Sequence, residues 1–137
     1  CPGRAVTRAE MAAFLGRALN LPASAGPVPF DDSGEHALQA AIGALAASGI
    51  TTGCTPTAFC PDRAVTRGEM AAFLVRGFEL AESGADPFDD DDGNYFEAAI
   101  GALAASGITT GCTPTAFCPD RAVTRGEMAA FLIRALD

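Results

Sequence analysis

Residues 40–74 recur without a single change as residues 98–132, from AAIGALAASGITTGC through VTRGEMAAFL. A partial third copy opens the chain: CPGRAVTRAEMAAFL at 1–15 matches CPDRAVTRGEMAAFL at 60–74 and 118–132. Repetition this strict restricts the chain to folds in which each unit packs on its neighbours in the same way, as in repeat arrays. The copies divide the sequence into the back half of one unit (1–22) and two full units (28–80 and 86–137). Because Cys1 falls in mid-unit, the array is expected to begin upstream of it.

Apolar residues make up 49% of the chain and mean hydropathy is +0.22, which marks a folding rather than a disordered sequence. No apolar run approaches the length of a bilayer span, and residues 1–22 lack a signal-peptide progression. A net charge of -8 argues against nucleic acid, whose binding depends on neutralising phosphates. Cations are placed by the repeat itself. Lysine is absent, and all nine arginines occupy three equivalent positions: Arg4, Arg63 and Arg121; Arg8, Arg67 and Arg125; Arg17, Arg76 and Arg134.

Cys54 with Cys60 and Cys112 with Cys118 form two pairs at matched spacing. Zinc would need four ligands, and the one histidine, His36, is remote from both pairs. Short disulfides are therefore expected, each worth about 2 kcal/mol in the chain-entropy model, in an oxidising compartment outside the cytoplasm. Cys1 stands at the second position of such a pair, so its partner is expected six residues upstream.

Each full unit carries two helical periods. Leu38, Ile42, Leu45 and Ala46, like Phe96, Ile100, Leu103 and Ala104, form one apolar face, helix A. Helix A is expected to end at Gly49 or Gly107, with Ile50 or Ile108 folding back on it. A turn-rich loop, TTGCTPTAFCPDR, follows. Helix B then opens on Thr7 to Glu10, Thr66 to Glu69 or Thr124 to Glu127, a threonine and a glutamate spaced as a capping box. Its expected apolar stripe is Met70, Phe73, Leu74 and Phe78, or Met128, Phe131, Leu132 and Leu136. The fold class is thus all-α, a tandem series of helix-loop-helix units with stapled loops.

The order Phe-x-Asp, helix A, Gly-Ile-x-x-Gly, a loop ending in Pro-Asp, and Val-Thr-Arg-(Ala/Gly)-Glu resembles the S-layer homology (SLH) domain. Its Ile-Thr-Arg-Ala-Glu signature appears as Val6 to Glu10, Val65 to Glu69 and Val123 to Glu127. The cysteine-bearing loop looks like the version in exported actinobacterial proteins. The resemblance implies repeats packed as a pseudo-threefold helical bundle and an extracellular, non-covalent anchor in the cell wall or S-layer. It implies binding of anionic, often pyruvylated, secondary cell-wall polysaccharide in grooves between repeats. Carried over by position, the binding residues are Arg8, Arg67 and Arg125 with Glu10, Glu69 and Glu127, the aspartates Asp32 and Asp90, and the loop glycines Gly53 and Gly111. A guanidinium can meet a pyruvyl carboxylate bidentately, and acidic groups take sugar hydroxyls. The family's His-Trp-Ala helix opening has become Ala37 in one copy and Tyr95 in the other, which leaves Tyr95 as the aromatic platform.

Plainer roles compete with these. The motif threonines and glutamates are helix caps first; Arg17, Arg76 and Arg134 complement helix C-termini; Arg4, Arg63 and Arg121 are expected to pair with loop aspartates; and His36 is expected to be a solvated helix-start residue. The run Asp89, Asp90, Asp91, Asp92 offers oxygen ligands for calcium. It misses the EF-hand spacing, with Phe88 at the first ligand and Ala99 at the last, so no cofactor is assigned. The rival to polysaccharide anchoring is a structural self-assembly module, in which the apolar face of the first B helix, left bare by the half-unit, is completed by another copy. An enzyme is not expected, since no Ser, His and Asp set exists.

Overall fold

The computed structural model describes residues 3–22, 29–34, 36–81 and 86–136; Cys1 and most of both linkers lie outside them. The described residues form five α-helices: α1 (Arg8–Ala18), α2 (Gln39–Ala47), α3 (Arg67–Gly77), α4 (Glu97–Ala105) and α5 (Arg125–Leu136). Only isolated β-bridges accompany them, so the class is all-α. Both disulfides, Cys54–Cys60 and Cys112–Cys118, are formed. Among the described residues, no helix is long and apolar enough to cross a membrane. The chain divides into two compact units, Val6–Ala64 and Val65–Asp137 with Cys1–Ala5.

Helix starts follow the expected chemistry. In α1, Thr7 Oγ1 accepts the Glu10 amide at 3.1 Å while Glu10 Oε1 accepts the Thr7 amide at 3.0 Å. Thr66 with Glu69 and Thr124 with Glu127 repeat this box. The two remaining amides of the first turn are met by the loop of the following copy. Arg8 and Ala9 donate to the carbonyls of Arg63 and Pro61, and Arg67 and Gly68 to those of Arg121 and Pro119. All four donors that a helix start leaves open are thereby used in α1 and α3.

Helix ends are equally specific. Gly49, at φ +75°, closes α2: its amide bonds Ala46 O at 3.1 Å, the Ile50 amide bonds Leu45 O at 3.0 Å, and Ile50 is buried. Gly107 and Ile108 do the same for α4. This is the Schellman arrangement, which needs a left-handed residue. Asn20 (φ 54°) and Glu79 (φ 53°) take that conformation after α1 and α3, where the sequence offers no glycine.

Helix pairing is out of phase with the sequence repeat. In one unit α1 packs on α2, and in the other α3 packs on α4, so each of these two B helices lies against the A helix of the next copy. Met11, Leu15, Ile42 and Leu45 form one core, and Met70, Leu74, Ile100 and Leu103 the other. The bare face expected on the first B helix is accordingly covered, with Met11, Ala12 and Leu15 buried. It is α5, with no following A helix among the described residues, that exposes Ile133 and also Leu136, expected in its buried stripe.

Candidate functional site

A cleft of about 180 Å³ lies in the second unit between α5 and residues 109–111. Arg67, only 3% exposed, forms its floor. Arg67 Nε donates to Phe117 O at 2.7 Å, Nη1 donates to Glu127 Oε2 at 3.0 Å, and the guanidinium lies 4.6 Å from the Phe117 ring centroid and 5.3 Å from that of Phe131. Burial lowers its pKa from the ordinary value, opposed by the negative charge of Glu127, and the group remains cationic. Two aromatic faces and one carboxylate hold this buried charge in place. Thr109, Thr110, Gly111 and Arg134 complete the wall. The cleft therefore combines guanidinium groups, hydroxyls, one carboxylate and an aromatic ring, a set suited to a polar, anionic ligand.

Glu127 divides its two oxygens: Oε1 caps α5 and Oε2 receives both Arg67 and Arg121. Capping, the expected role of the motif glutamates, is only half of what this one does. Arg121 thus pairs with the capping glutamate, not with a loop aspartate as expected. Arg8 repeats the Arg67 arrangement in the first unit, buried, with Nε on Phe59 O at 2.7 Å and its guanidinium 4.7 Å from the Phe59 ring. Arg125 is half-buried, and its amide bonds Arg4 O at 2.8 Å. Glu10 and Glu69 cap α1 and α3.

Asp32 and Asp90 turn towards the stapled loops. Asp32 Oδ1 accepts the Phe59 amide at 2.9 Å and Oδ2 the Cys60 amide at 2.8 Å; Asp90 does the same with Phe117 and Cys118. Burial opposes ionisation of Asp32, but the Phe59 and Cys60 amides and the Ser33 hydroxyl outweigh it and hold the carboxyl below its ordinary pKa. Gly53 (φ +95°) and Gly111 (φ +92°) sit where a Cβ would stand 2.5 Å from the carbonyls of Thr55 and Thr113. These glycines shape the loop, and Gly111 also borders the cleft. His36 is partly exposed at the start of α2, and its ring is tethered: Nδ1 accepts the Leu38 amide at 3.0 Å and Nε2 meets Asp62 Oδ1 at 2.9 Å. Asn94 serves the other copy in the same way, its Oδ1 accepting the Phe96 amide at 2.9 Å.

A second kind of cleft lies within each helix pair. Between α3 and α4 it measures about 220 Å³ and is bordered by Arg76, Val75, Tyr95 and Phe96. Between α1 and α2 it widens to about 390 Å³, with Arg17, Gly16, Ala37 and Leu38 at the same positions. Smaller side chains account for the difference. Tyr95 is 85% exposed and stands edge-on to Phe96, with ring centroids 5.0 Å apart. Arg17 and Arg76, read from the sequence as helix-end cations, are thus cleft residues as well, and Arg134 bonds Ile108 O at 3.1 Å while bordering the Arg67 cleft.

The acidic run separates. Asp90 is committed to the loop, whereas Asp91 and Asp92 come together with Asp86 and Glu97.

A family model described as the S-layer homology domain matches residues 29–71 and 87–129. An endoglucanase from a Bacillus species is 38% identical over 64% of the chain, and an S-layer protein of Bacillus thuringiensis subsp. finitimus is 31% identical over 97% of it. A surface-layer 125 kDa protein of Lysinibacillus sphaericus is 32% identical over 99%. The chain spans 9%, 17% and 12% of the length of these three relatives.

Proposed function

From the premise that this chain belongs to the S-layer homology family, a cell-surface anchoring module, we propose that it anchors by binding anionic cell-wall polysaccharide. The location that membership indicates is the cell surface or wall. The observation that carries the polysaccharide reading is the Arg67 cleft, where a desolvated guanidinium, held by Phe117 and Glu127, sits beside Thr109, Thr110 and Arg134. A carboxylate on the polymer, such as a pyruvyl group, would meet the arginines, while Glu127 and the hydroxyls would take sugar hydroxyls. On this reading the chain is non-catalytic and serves as the attachment portion of a longer protein.

The test is co-sedimentation of the chain with isolated cell walls. The parent chain is expected in the pellet, and Arg134→Ala with Thr110→Val, both at exposed positions, is expected to weaken retention by about ten-fold at unchanged helix content. A parent chain that stays in the supernatant sinks wall binding, and full retention of the variant sinks this cleft as its seat.

Exposure of Ile133 and Leu136 on α5 favours a second reading, self-assembly of copies through that face. Sedimentation velocity over a concentration series separates the two, because a strictly monomeric chain removes assembly.

A further inference from the structure

We propose that residues 86–97 form a calcium site whose protein ligands are Asp86, Asp91, Asp92 and Glu97. One carboxylate oxygen from each of the four lies within 4.8 Å of the other three. Calcium binds oxygens at about 2.3–2.6 Å, so ligands on opposite sides of one ion stand at most about 5 Å apart. The four side chains therefore already occupy the volume of a single coordination sphere.

The second observation concerns Asp91 alone. Its side chain is 1% exposed, and Oδ1 is fully buried with no hydrogen-bond partner among the described residues. Burial of a carboxylate oxygen without a donor is costly, and a bound cation is the partner that would remove the cost. Desolvation, reinforced by the charges of Asp86 and Glu97, pushes the Asp91 carboxyl up to about 6, the direction expected of acidic groups gathered without a counter-charge.

The preceding copy serves as an internal comparison. Its residues at the same four positions are Val28, Ser33, Gly34 and Gln39, all neutral. There Ser33 is buried and its hydroxyl donates to Asp32 Oδ1 at 3.0 Å, so no polar group is stranded. Both copies nevertheless make the same approach to helix A and bind the same loop amides. The carboxylates of the later copy are thus not required to build the segment.

All four donors are oxygens, which selects a hard cation over zinc or copper. Exposure of Asp86 and Asp92 leaves a side open to water, which suits the irregular, partly hydrated sphere of calcium better than the octahedron of magnesium. The site also differs from an EF-hand. In a register that opens on Asp86 instead of Phe88, Asp86 and Glu97 have that loop's end-to-end spacing, but Phe88 is buried at the third position and Asp90 at the fifth is committed to Phe117 and Cys118.

Tyr95 supplies the readout. It is the only tyrosine, lies between two of the ligands in sequence, and the chain has no tryptophan. Terbium, standing in for calcium, is titrated into the full chain in chelator-treated buffer with excitation of Tyr95. Saturable sensitised emission is expected, displaced by calcium at about 10⁻⁴–10⁻³ M and less readily by magnesium. Asp91→Ser and Glu97→Gln, each copying the preceding repeat, are expected to weaken binding by about ten-fold or more. If either variant loses its helical circular dichroism, Asp92→Gly, which also copies that repeat, is read in its place. Absence of saturable emission, emission unchanged by the substitutions, or equal displacement by magnesium overturns the proposal. Wall binding plays no part in this experiment, so the two readings stand or fall separately.

Discussion

Arg67 and Glu127, sixty residues apart, share a 3.0 Å hydrogen bond in which the guanidinium is almost fully buried and the carboxylate oxygen is the one that capping leaves over. Glu127→Gln retains an acceptor for the cap but strips the charge from the pair. It is expected to cost about 1–3 kcal/mol in urea denaturation. Adding Arg67→Met should recover part of that loss, because an apolar side chain leaves no buried charge uncompensated. Strictly additive costs in the double-mutant cycle would contradict the coupling.

Gly68 and Phe96 form a size-matched pair. A Cβ on Gly68 would stand 2.6 Å from Phe96 Cδ2, whereas the first unit has Ala9, buried, and Leu38 at these positions. Gly68→Ala should therefore destabilise by about 1–3 kcal/mol through overpacking, despite alanine's better helix propensity. Phe96→Leu in the same chain should restore most of it, since it reproduces the other copy. Thermal unfolding of the three variants measures this, and an unrescued double variant would refute the pairing.

Features set by neighbours in sequence were legible from the residues alone. The Thr66–Glu69 box and the Gly49–Ile50 helix ending depend on contacts within one or two turns, and both are present. Contacts closed over longer spans were not. Nothing local tells Asp32 that its acceptors will be used by amides 27 and 28 residues on, or brings Asp86 to Asp91 across a buried Phe88. The phase of helix pairing was hidden for a related reason: strict repetition makes the preceding and following copies equivalent in sequence, and only packing chooses between them. Of the residues carried over by resemblance, Arg67, Gly111 and Glu127 share one cleft, Tyr95 borders another, and Asp32 and Asp90 bind backbone.

Asp32 sets a pH dependence of known sign. Its folded pKa lies below the ordinary 3.8, so ionised Asp32 stabilises the fold above that pH, and the contribution disappears as pH falls from 3.8 through the lower folded value. Asp32→Asn should cost about 1 kcal/mol near neutrality, a small figure because the group is exposed. The parent and variant stability curves should converge under acid conditions. Curves that remain parallel to the lowest pH would show that Asp32 does not stabilise through its charge.

Glu79 adopts φ 53° at the end of α3, where the amide of Leu80 bonds Val75 O at 3.0 Å. A side chain with a Cβ is disfavoured in this region and glycine is not. Glu79→Gly is expected to raise stability by about 0.5–1 kcal/mol, even after the added freedom of the unfolded chain. Asn20→Gly should gain less, because asparagine tolerates the left-handed region. Chemical denaturation that ranks the two gains in the opposite order would refute this account.

The carbonyls that cap the first turn of α1 come from Pro61 and Arg63, immediately after Cys60. By covalent order the Cys54–Cys60 staple belongs to one copy; by hydrogen bonding its stiffness is delivered to the helix of the copy before. Reduction of that single bond should thus speed amide exchange at Arg8 and Ala9, about fifty residues upstream, sooner than in α2, which shares the staple's copy. In such an array each covalent lock guards its predecessor.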